Sequence, residues 1–136
     1  MGNLLKSDEI QFRVRYGETD QMGVVYHGNY AQYFEIGRTE WLRKIGFSYR
    51  KMEEDGIMLP VISLSINYKK SACYDDLIKV KTKLVKKPTV KIEFDYEILN
   101  EKDEVLTTGN SVLVFMDIHK KRPTRCPDYI LDQLQI

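Results

Sequence analysis

A carboxylate lies a short loop before the start of a probable helix, in the stretch between Tyr16 and Arg38. Asp20 is followed by an apolar loop that contains Gly23, and then by the tetrapeptide Tyr26-His27-Gly28-Asn29. A carboxylate can activate water or attack a carbonyl, and the free N–H groups of a helix N-terminus can stabilise an oxyanion. Since acyl transfer needs both kinds of group, this spacing predicts acyl-transfer chemistry.

The helix that follows must position these groups, and its pattern predicts a span from Asn29 to about Ile45. Asn29 is a suitable N-cap and Gly46 a suitable C′ residue. Gly37, inside the helix, costs about 1 kcal/mol relative to alanine. Close approach to a sheet or a ligand would offset that cost, or the fold simply tolerates it. The residues that recur at helical spacing are Tyr30, Phe34, Gly37, Trp41 and Ile45.

Strand-like segments surround this helix, and short turns separate the later ones, which favours antiparallel pairing. We predict an α+β fold in which a long antiparallel sheet wraps one central helix, with the last four strands as a meander. The whole chain, residues 1–136, forms one domain on size. The predicted strands are Ile10–Tyr16, Val61–Tyr68, Leu77–Val85, Val90–Leu99 and Val105–Met116, the loop is Gly17–Val25, and short helices cover Phe47–Asp55 and Asp128–Gln135.

The composition is that of an ordinary globular protein. The 21 basic and 20 acidic residues give a net charge of +1, so no overall field favours nucleic acid, and we expect no such partner. The N-terminus lacks the apolar region of a signal peptide, and no apolar run is long enough to span a bilayer. Cys73 and Cys126 lie far apart without metal-ligand spacing, so we expect reduced thiols in the cytoplasm.

The motif around Asp20 resembles that of a known family. The pattern Tyr16-x-x-Thr19-Asp20-x-x-Gly23-x-x-Tyr26-His27-x-x-Tyr30, followed by Tyr33, Glu35 and Arg38, resembles the hotdog-fold acyl-CoA thioesterases. It is most similar to the 4-hydroxybenzoyl-CoA thioesterase family and to the branch encoded beside the Tol–Pal envelope system. Later segments match as well, so that the resemblance covers about residues 8–127: Pro60-Val61-x-x-Leu64-x-Ile66-x-Tyr68, Tyr74-Asp75-Asp76 and Arg122-Pro123.

The resemblance implies a function and a site. The family's catalytic aspartate falls on Asp20, and the position that supplies a backbone N–H to the thioester carbonyl falls on His27. The benzoyl enzymes carry tyrosine at this position and the Tol–Pal relatives carry histidine, so this chain resembles the Tol–Pal relatives here. The resemblance further implies a homodimer or homotetramer with sites at the subunit interface, no metal, and coenzyme A as part of the substrate rather than a cofactor.

For the mechanism, we expect Asp20 either to activate water or to attack the thioester carbonyl and form a mixed anhydride. The N–H groups near His27 and Gly28 would polarise the carbonyl oxygen, and Gly23 would let the backbone approach the thioester. The His27 side chain would contact the substrate or Asp20, assist the departing thiolate, or play no part beyond its backbone. Glu18 is predicted to be a solvated loop charge.

Other residues are candidates for binding the two halves of the substrate. Tyr26, Tyr30 and Tyr33 would line an acyl pocket or belong to the core. Lys69 and Lys70 are the favoured partners of the coenzyme A phosphates. Weaker candidates are Lys86, Lys87, Lys120, Lys121, Arg122 and Arg125. Glu35 and Arg38, three residues apart on the helix, form a surface ion pair or a structural pair near the site.

Three other functions remain open from the sequence. The acyl group could be carried by acyl carrier protein, with the basic tail cluster meeting that acidic partner. A hotdog dehydratase or hydratase would need a histidine base in a different motif, which the spacing from Asp20 to His27 fits less well. An acyl-CoA-binding module without catalysis would keep the pocket and would not require Asp20.

Overall fold

The computed structural model describes residues 7–134, and the main element in that range is a five-stranded antiparallel sheet with one long helix against it. This arrangement agrees with the predicted α+β class. The strands are β1 (Ser7–Arg13), β2 (Ile57–Met58), β3 (Val61–Tyr68), β4 (Leu77–Leu84), β5 (Lys91–Leu99), β6 (Val105–Val114), β7 (Met116–Asp117) and β8 (Arg122–Pro123). The helices are α1 (Asn29–Lys44), α2 (Tyr49–Glu54) and α3 (Asp128–Leu134).

The strand order of the sheet is β1-β4-β5-β6-β3, and the strands β2, β7 and β8 form a second, small sheet. The predicted four-strand meander is therefore wrong in one respect. Only β4, β5 and β6 follow one another in space, whereas β3 crosses to the far edge and pairs with β6. Short loops could predict the β4–β5–β6 pairing, but the partner of β3 depends on contacts between residues distant in sequence.

Helix α1 lies against the sheet, and Gly37 makes this close packing possible. A Cβ atom at Gly37 would lie 2.5 Å from Thr82 Oγ1 and 2.9 Å from Val80 Cγ1, both on β4. The predicted close approach of the helix to the sheet is confirmed. Gly109 on β6 has a similar role, because a Cβ atom there would lie 2.3 Å from the ring of Phe34.

The ends of α1 match the predicted bounds to within a residue, but the N-cap differs. Gly28 occupies the N-cap position, and the side chain of Asn29 instead donates a hydrogen bond to the carbonyl of Glu18 at 2.8 Å. At the other end the expected C′ glycine is confirmed. Gly46 has φ +95°, and the Phe47 N–H donates to the Leu42 carbonyl at 3.0 Å, as in a Schellman motif.

Strand β1 begins and ends about three residues earlier than predicted. Tyr16, the last residue of the predicted strand, instead begins a single 3₁₀ turn over residues 16–18. The last strand also differs, since β6 ends at Val114 and Met116 belongs to the small sheet. The two short helices, α2 and α3, form where predicted, although Gln135 lies outside the described residues. Among residues 7–134, none of the helices is both long and apolar enough to cross a membrane.

Candidate active site

Asp20 opens a tight hairpin that presents its carboxylate beside α1. The Asp20 N–H donates to the Val24 carbonyl at 2.9 Å, and the Gly23 N–H donates to the Asp20 carbonyl at 3.0 Å. Gly23 has φ +81°, a backbone conformation that favours glycine. The Met22 N–H donates to Asp20 Oδ1 at 2.9 Å, so one carboxylate oxygen holds the turn. The other accepts no hydrogen bond from residues 7–134.

A cleft of about 280 Å³ lies next to this hairpin. Its walls come from the hairpin, the start of α1 and the segment that follows β3. The lining residues are Asp20, Met22, Val24, Val25, His27, Tyr30, Tyr68, Lys69, Lys70 and Ser71. We call it the Asp20 cleft. The structure thus brings Asp20, His27 and the two favoured lysines to one place, as their predicted roles require.

Two backbone donors are available where the chain enters α1. Within residues 7–134, neither the His27 N–H nor the Gly28 N–H donates to a protein acceptor. These groups lie at the positive end of the dipole of a 16-residue helix. The Gly23 N–H is different, because the turn already uses it. The Gly23 N–H is therefore not free to donate to an oxyanion.

The three tyrosines that were candidates for the acyl pocket occupy different environments in the structure. Tyr33 is 1% exposed and packs in the core, so its assignment to the pocket is wrong. Tyr26 is about half exposed and does not line the Asp20 cleft, while Tyr30 is buried at its base. Burial raises the pKa of Tyr30, which stays a neutral phenol. Tyr26 lies before α1, and Tyr30 and Tyr33 lie three residues apart on the same side of the helix, so spacing alone could not separate these roles.

Tyr68, at the end of β3, is a site residue that the sequence reasoning missed. Its hydroxyl donates to the His27 carbonyl at 3.2 Å, and its ring meets that of Tyr30 edge to face at 5.5 Å. The His27 ring lies 6.3 Å from it, also edge to face. The clue available in the sequence was its position directly before Lys69 and Lys70.

The lysine pair lies on the rim of the cleft, held by its backbone. The N–H groups of Lys69 and Lys70 both donate to the Leu106 carbonyl, at 2.9 and 3.0 Å. The Lys70 ammonium pairs with Glu104 at 2.6 Å, whereas no carboxylate within residues 7–134 pairs with Lys69. The weaker basic candidates, at 86–87 and 120–125, do not line this cleft.

Glu18 is not the solvated loop charge that was predicted. Its side chain is 13% exposed and accepts hydrogen bonds from the Arg15 backbone, the Arg15 guanidinium and the Tyr33 hydroxyl. Partial burial alone would raise the pKa of Glu18, but these hydrogen bonds outweigh it and hold the pKa below the usual value. The clue was the spacing, since Arg15 and Glu18 lie three residues apart across one turn.

The Glu35–Arg38 pair is structural rather than a surface ion pair. Arg38 is 6% exposed, and its Nε donates to the Tyr49 hydroxyl at 3.0 Å. Glu35 is largely exposed, and its carboxylate lies 3.7 Å from the guanidinium. Arg38 therefore ties α1 to α2 and lies outside the Asp20 cleft. Within residues 7–134, no group of three or more His, Cys, Asp or Glu side chains is arranged to hold a metal ion.

Comparison with known proteins identifies the family. The model of the thioesterase-like superfamily matches residues 14–134, which is most of the chain. The chain therefore belongs to the thioesterase-like superfamily.

Individual relatives agree with this assignment. A putative acyl-CoA thioesterase of Bacillus subtilis, YneP, is 36% identical over 83% of this chain and 82% of its own length. The acyl-CoA thioesterase YbgC of Haemophilus influenzae is 33% identical over 85% of both chains. The crystal structure of a DHNA-CoA thioesterase from Staphylococcus aureus is 43% identical, with a TM-score of 0.87 over 95% of this chain and 87% of that one. The predictions of a hotdog fold and of a thioester hydrolase are confirmed.

Proposed function

We propose that the protein hydrolyses acyl-CoA thioesters in the Asp20 cleft, with Asp20 as the reacting carboxylate. The observation that carries this proposal is that Asp20 and His27 line one cleft at the start of α1, where the His27 and Gly28 N–H groups have no acceptor within residues 7–134. The free oxygen of Asp20 either takes a proton from the attacking water or attacks the carbonyl itself. The N–H groups of His27 and Gly28 hold the developing oxyanion.

The rest of the cleft suits the remaining parts of the substrate. Lys69 and Lys70 both line the cleft, and their ammonium groups would meet the phosphates of coenzyme A, with Lys70 leaving Glu104 to do so. The aromatic rings of Tyr30 and Tyr68 form its inner wall. The His27 side chain is exposed at the mouth, in position to contact the substrate. Neither a metal nor a cofactor has a part in this mechanism, and coenzyme A leaves as a product.

An aromatic acyl group fits this wall best. Pairing with aromatic rings adds about 0.5–1.5 kcal/mol beyond the burial of area, which corresponds to roughly three- to tenfold in kcat/KM. A 43% identical neighbour of known structure is a DHNA-CoA thioesterase. We therefore infer that an aromatic acyl-CoA is a better substrate than an aliphatic one of similar size.

Release of free thiol from a substrate panel tests the function. Benzoyl-CoA, hexanoyl-CoA, a long-chain acyl-CoA and hexanoyl-acyl carrier protein are assayed side by side. We expect hydrolysis of the coenzyme A esters, with benzoyl-CoA at least about threefold ahead of hexanoyl-CoA in kcat/KM. A preference for the carrier-protein ester would favour that carrier. Binding of acyl-CoA without any hydrolysis would favour a binding module.

We also propose that the protein is a homodimer with a sheet continued through β3, and that two dimers can form a tetramer. Strand β3 is a sheet edge, and four of its apolar side chains are each 44–52% exposed: Val61, Ile62, Leu64 and Tyr68. A long, apolar, uncovered edge favours pairing with another strand. Because Tyr68 also lines the Asp20 cleft, this dimer would place each site beside the subunit interface.

The double variant Ile62→Lys/Leu64→Lys is expected to be monomeric at micromolar concentration. Both side chains are exposed in the single chain, so the fold should tolerate lysine, whereas like charges facing across a symmetric interface cost several kcal/mol. The dissociation constant should rise at least about a hundredfold, measured by sedimentation velocity. Val85→Lys, an exposed apolar position outside β3, is the control and should stay dimeric. A double variant that still sediments as a dimer would contradict the β3 interface.

A cytoplasmic location completes the proposal. Cys73 is exposed and Cys126 is buried, and both are free thiols. An exposed free thiol suits a reducing compartment. Burial raises the pKa of Cys126 to about 12, so this thiol stays protonated and inert.

A further inference from the structure

Glu18 lies outside the Asp20 cleft, but its carboxylate makes several hydrogen bonds to the surrounding chain. Glu18 Oε1 accepts the Arg15 N–H at 2.8 Å and the Tyr33 hydroxyl at 2.9 Å. Glu18 Oε2 accepts the Arg15 Nε and Nη2 groups at 2.9 and 2.7 Å. Tyr33 lies on α1, so the carboxylate connects the 3₁₀ turn after β1 to the central helix.

The backbone of Glu18 makes a second set of contacts to the other side of the site. Its carbonyl accepts the Tyr26 N–H at 2.9 Å and the Asn29 side-chain amide at 2.8 Å. Tyr26 precedes His27, and Asn29 is the first residue of α1. A single residue therefore joins the turn, the approach to the helix and the helix itself.

These contacts bracket the two proposed reacting groups. Asp20 lies two residues after Glu18, and the His27 N–H lies one residue after Tyr26. Pairing of Thr19 with Val25 closes the hairpin between them. A shift of Glu18 would move the Asp20 hairpin relative to the N-terminus of α1, because its carboxylate bonds to Tyr33 on α1 and its carbonyl bonds to Tyr26 and Asn29.

We propose that Glu18 is a positioning residue, which holds the Asp20 carboxylate and the His27 and Gly28 N–H groups in register across the thioester. This inference rests on the proposed function. Reacting groups must be placed to within a fraction of an ångström, and a misplacement of about 1 Å can cost about a hundredfold in rate. The Arg15 side chain is 78% exposed, so its ion pair with Glu18 contributes little to holding Glu18 in place. The strongest side-chain contact of Glu18 is therefore the one with the Tyr33 hydroxyl, since Tyr33 is buried.

Glu18→Gln tests the proposal, because it keeps the size of the side chain but removes the negative charge and replaces one of the two acceptor oxygens with an NH2 group, which cannot accept. We expect kcat per folded enzyme to fall roughly 10- to 30-fold, while KM and the inhibition constant of coenzyme A stay within about twofold. Tyr33→Phe removes one hydrogen bond and keeps the buried ring, and we expect a smaller fall in kcat, roughly three- to tenfold. The double variant should be little worse than Glu18→Gln alone, since Tyr33 acts through Glu18.

Ser48→Ala is the control for a purely structural effect. The Ser48 hydroxyl accepts the Lys51 N–H at 3.1 Å and caps α2, away from the cleft. Its loss lowers the melting temperature, and kcat per folded enzyme should be unchanged. If Glu18→Gln behaves in the same way, losing melting temperature with unchanged kcat, Glu18 is merely structural and the proposal is overturned. A parallel loss of coenzyme A binding and kcat would overturn it as well.

Asp20→Asn, assayed alongside, separates this proposal from the function on which it rests. Inactive Asp20→Asn with unimpaired Glu18→Gln would leave the proposed function standing and remove Glu18 alone. Full activity in Asp20→Asn, or no hydrolysis by the unaltered protein, would overturn both proposals. Inactive Asp20→Asn with the expected fall in kcat for Glu18→Gln supports both.

Discussion

Asp20→Asn is expected to lower kcat for acyl-CoA hydrolysis by at least about a hundredfold. The amide oxygen of asparagine can still accept the Met22 N–H that Asp20 Oδ1 accepts now, so the turn should survive. What the substitution removes is the negative charge and the basicity of the free oxygen. Both the general-base and the nucleophilic mechanism need that oxygen, so both predict the loss. Thiol release under saturating substrate measures it.

Asp117→Asn is the matched control for this experiment. Asp117 also uses Oδ1 to hold a turn, accepting the His119 and Lys120 N–H groups at 2.9 Å, and it does not line the Asp20 cleft. We expect its kcat to stay within about twofold of the unaltered protein. Equal rates in Asp20→Asn and the unaltered protein would remove Asp20 from the mechanism. An equal loss in both variants would point to the turns rather than to the chemistry.

Phe34→Ala is expected to cause a large loss of stability, about 3–5 kcal/mol. The Phe34 side chain on α1 is fully buried, and its ring stacks on Tyr96 of β5 with centroids 4.4 Å apart and planes within 10°. The ring also fills the space above Gly109, where no side chain competes. Truncation would leave a cavity between helix and sheet that neither rigid element can close. The melting temperature should fall by roughly 10–20 °C.

Thermal and urea unfolding at a fixed protomer concentration measure this loss, because dissociation of an oligomer would otherwise contribute. Tyr74→Ala is the control, since this ring is 57% exposed and contacts Tyr16 alone among the aromatic side chains of residues 7–134. We expect it to cost at most about 1 kcal/mol. A Phe34→Ala variant as stable as Tyr74→Ala would show that this contact is not central to the core.

Local sequence patterns predicted the helices and strands well wherever one pattern continues along the whole element. The strand-like composition of Val61–Tyr68 predicted β3 with its observed bounds, and the spacing from Asn29 predicted α1 to within a residue. The pattern failed where a local hydrogen bond competes with it. Tyr16 continues the alternation of β1 but belongs to a 3₁₀ turn, because the Glu18 side chain accepts the Arg15 N–H and bends the chain.

The candidate site also combines residues that a local motif predicted with one that only the tertiary structure places there. Asp20, Gly23 and His27 lie within one continuous motif, so their types and spacing predicted a loop carboxylate beside a helix N-terminus. Tyr68 lies 41 residues from His27, and its contact with the His27 carbonyl exists because β3 lies at the edge of the sheet that faces the start of α1. No local pattern encodes that edge, which arises from the pairing of β3 with β6.

The sequence by itself determined the fold class, the central helix and the motif that carries the proposed chemistry, since these depend on the periodicity and turn chemistry of neighbouring residues. The tertiary structure decided which of the three candidate tyrosines lines the cleft, that Glu18 is bound rather than solvated, and that β3 forms an uncovered edge. Those outcomes depend on how helix and strands pack, and packing is settled by the shapes of side chains distant in sequence.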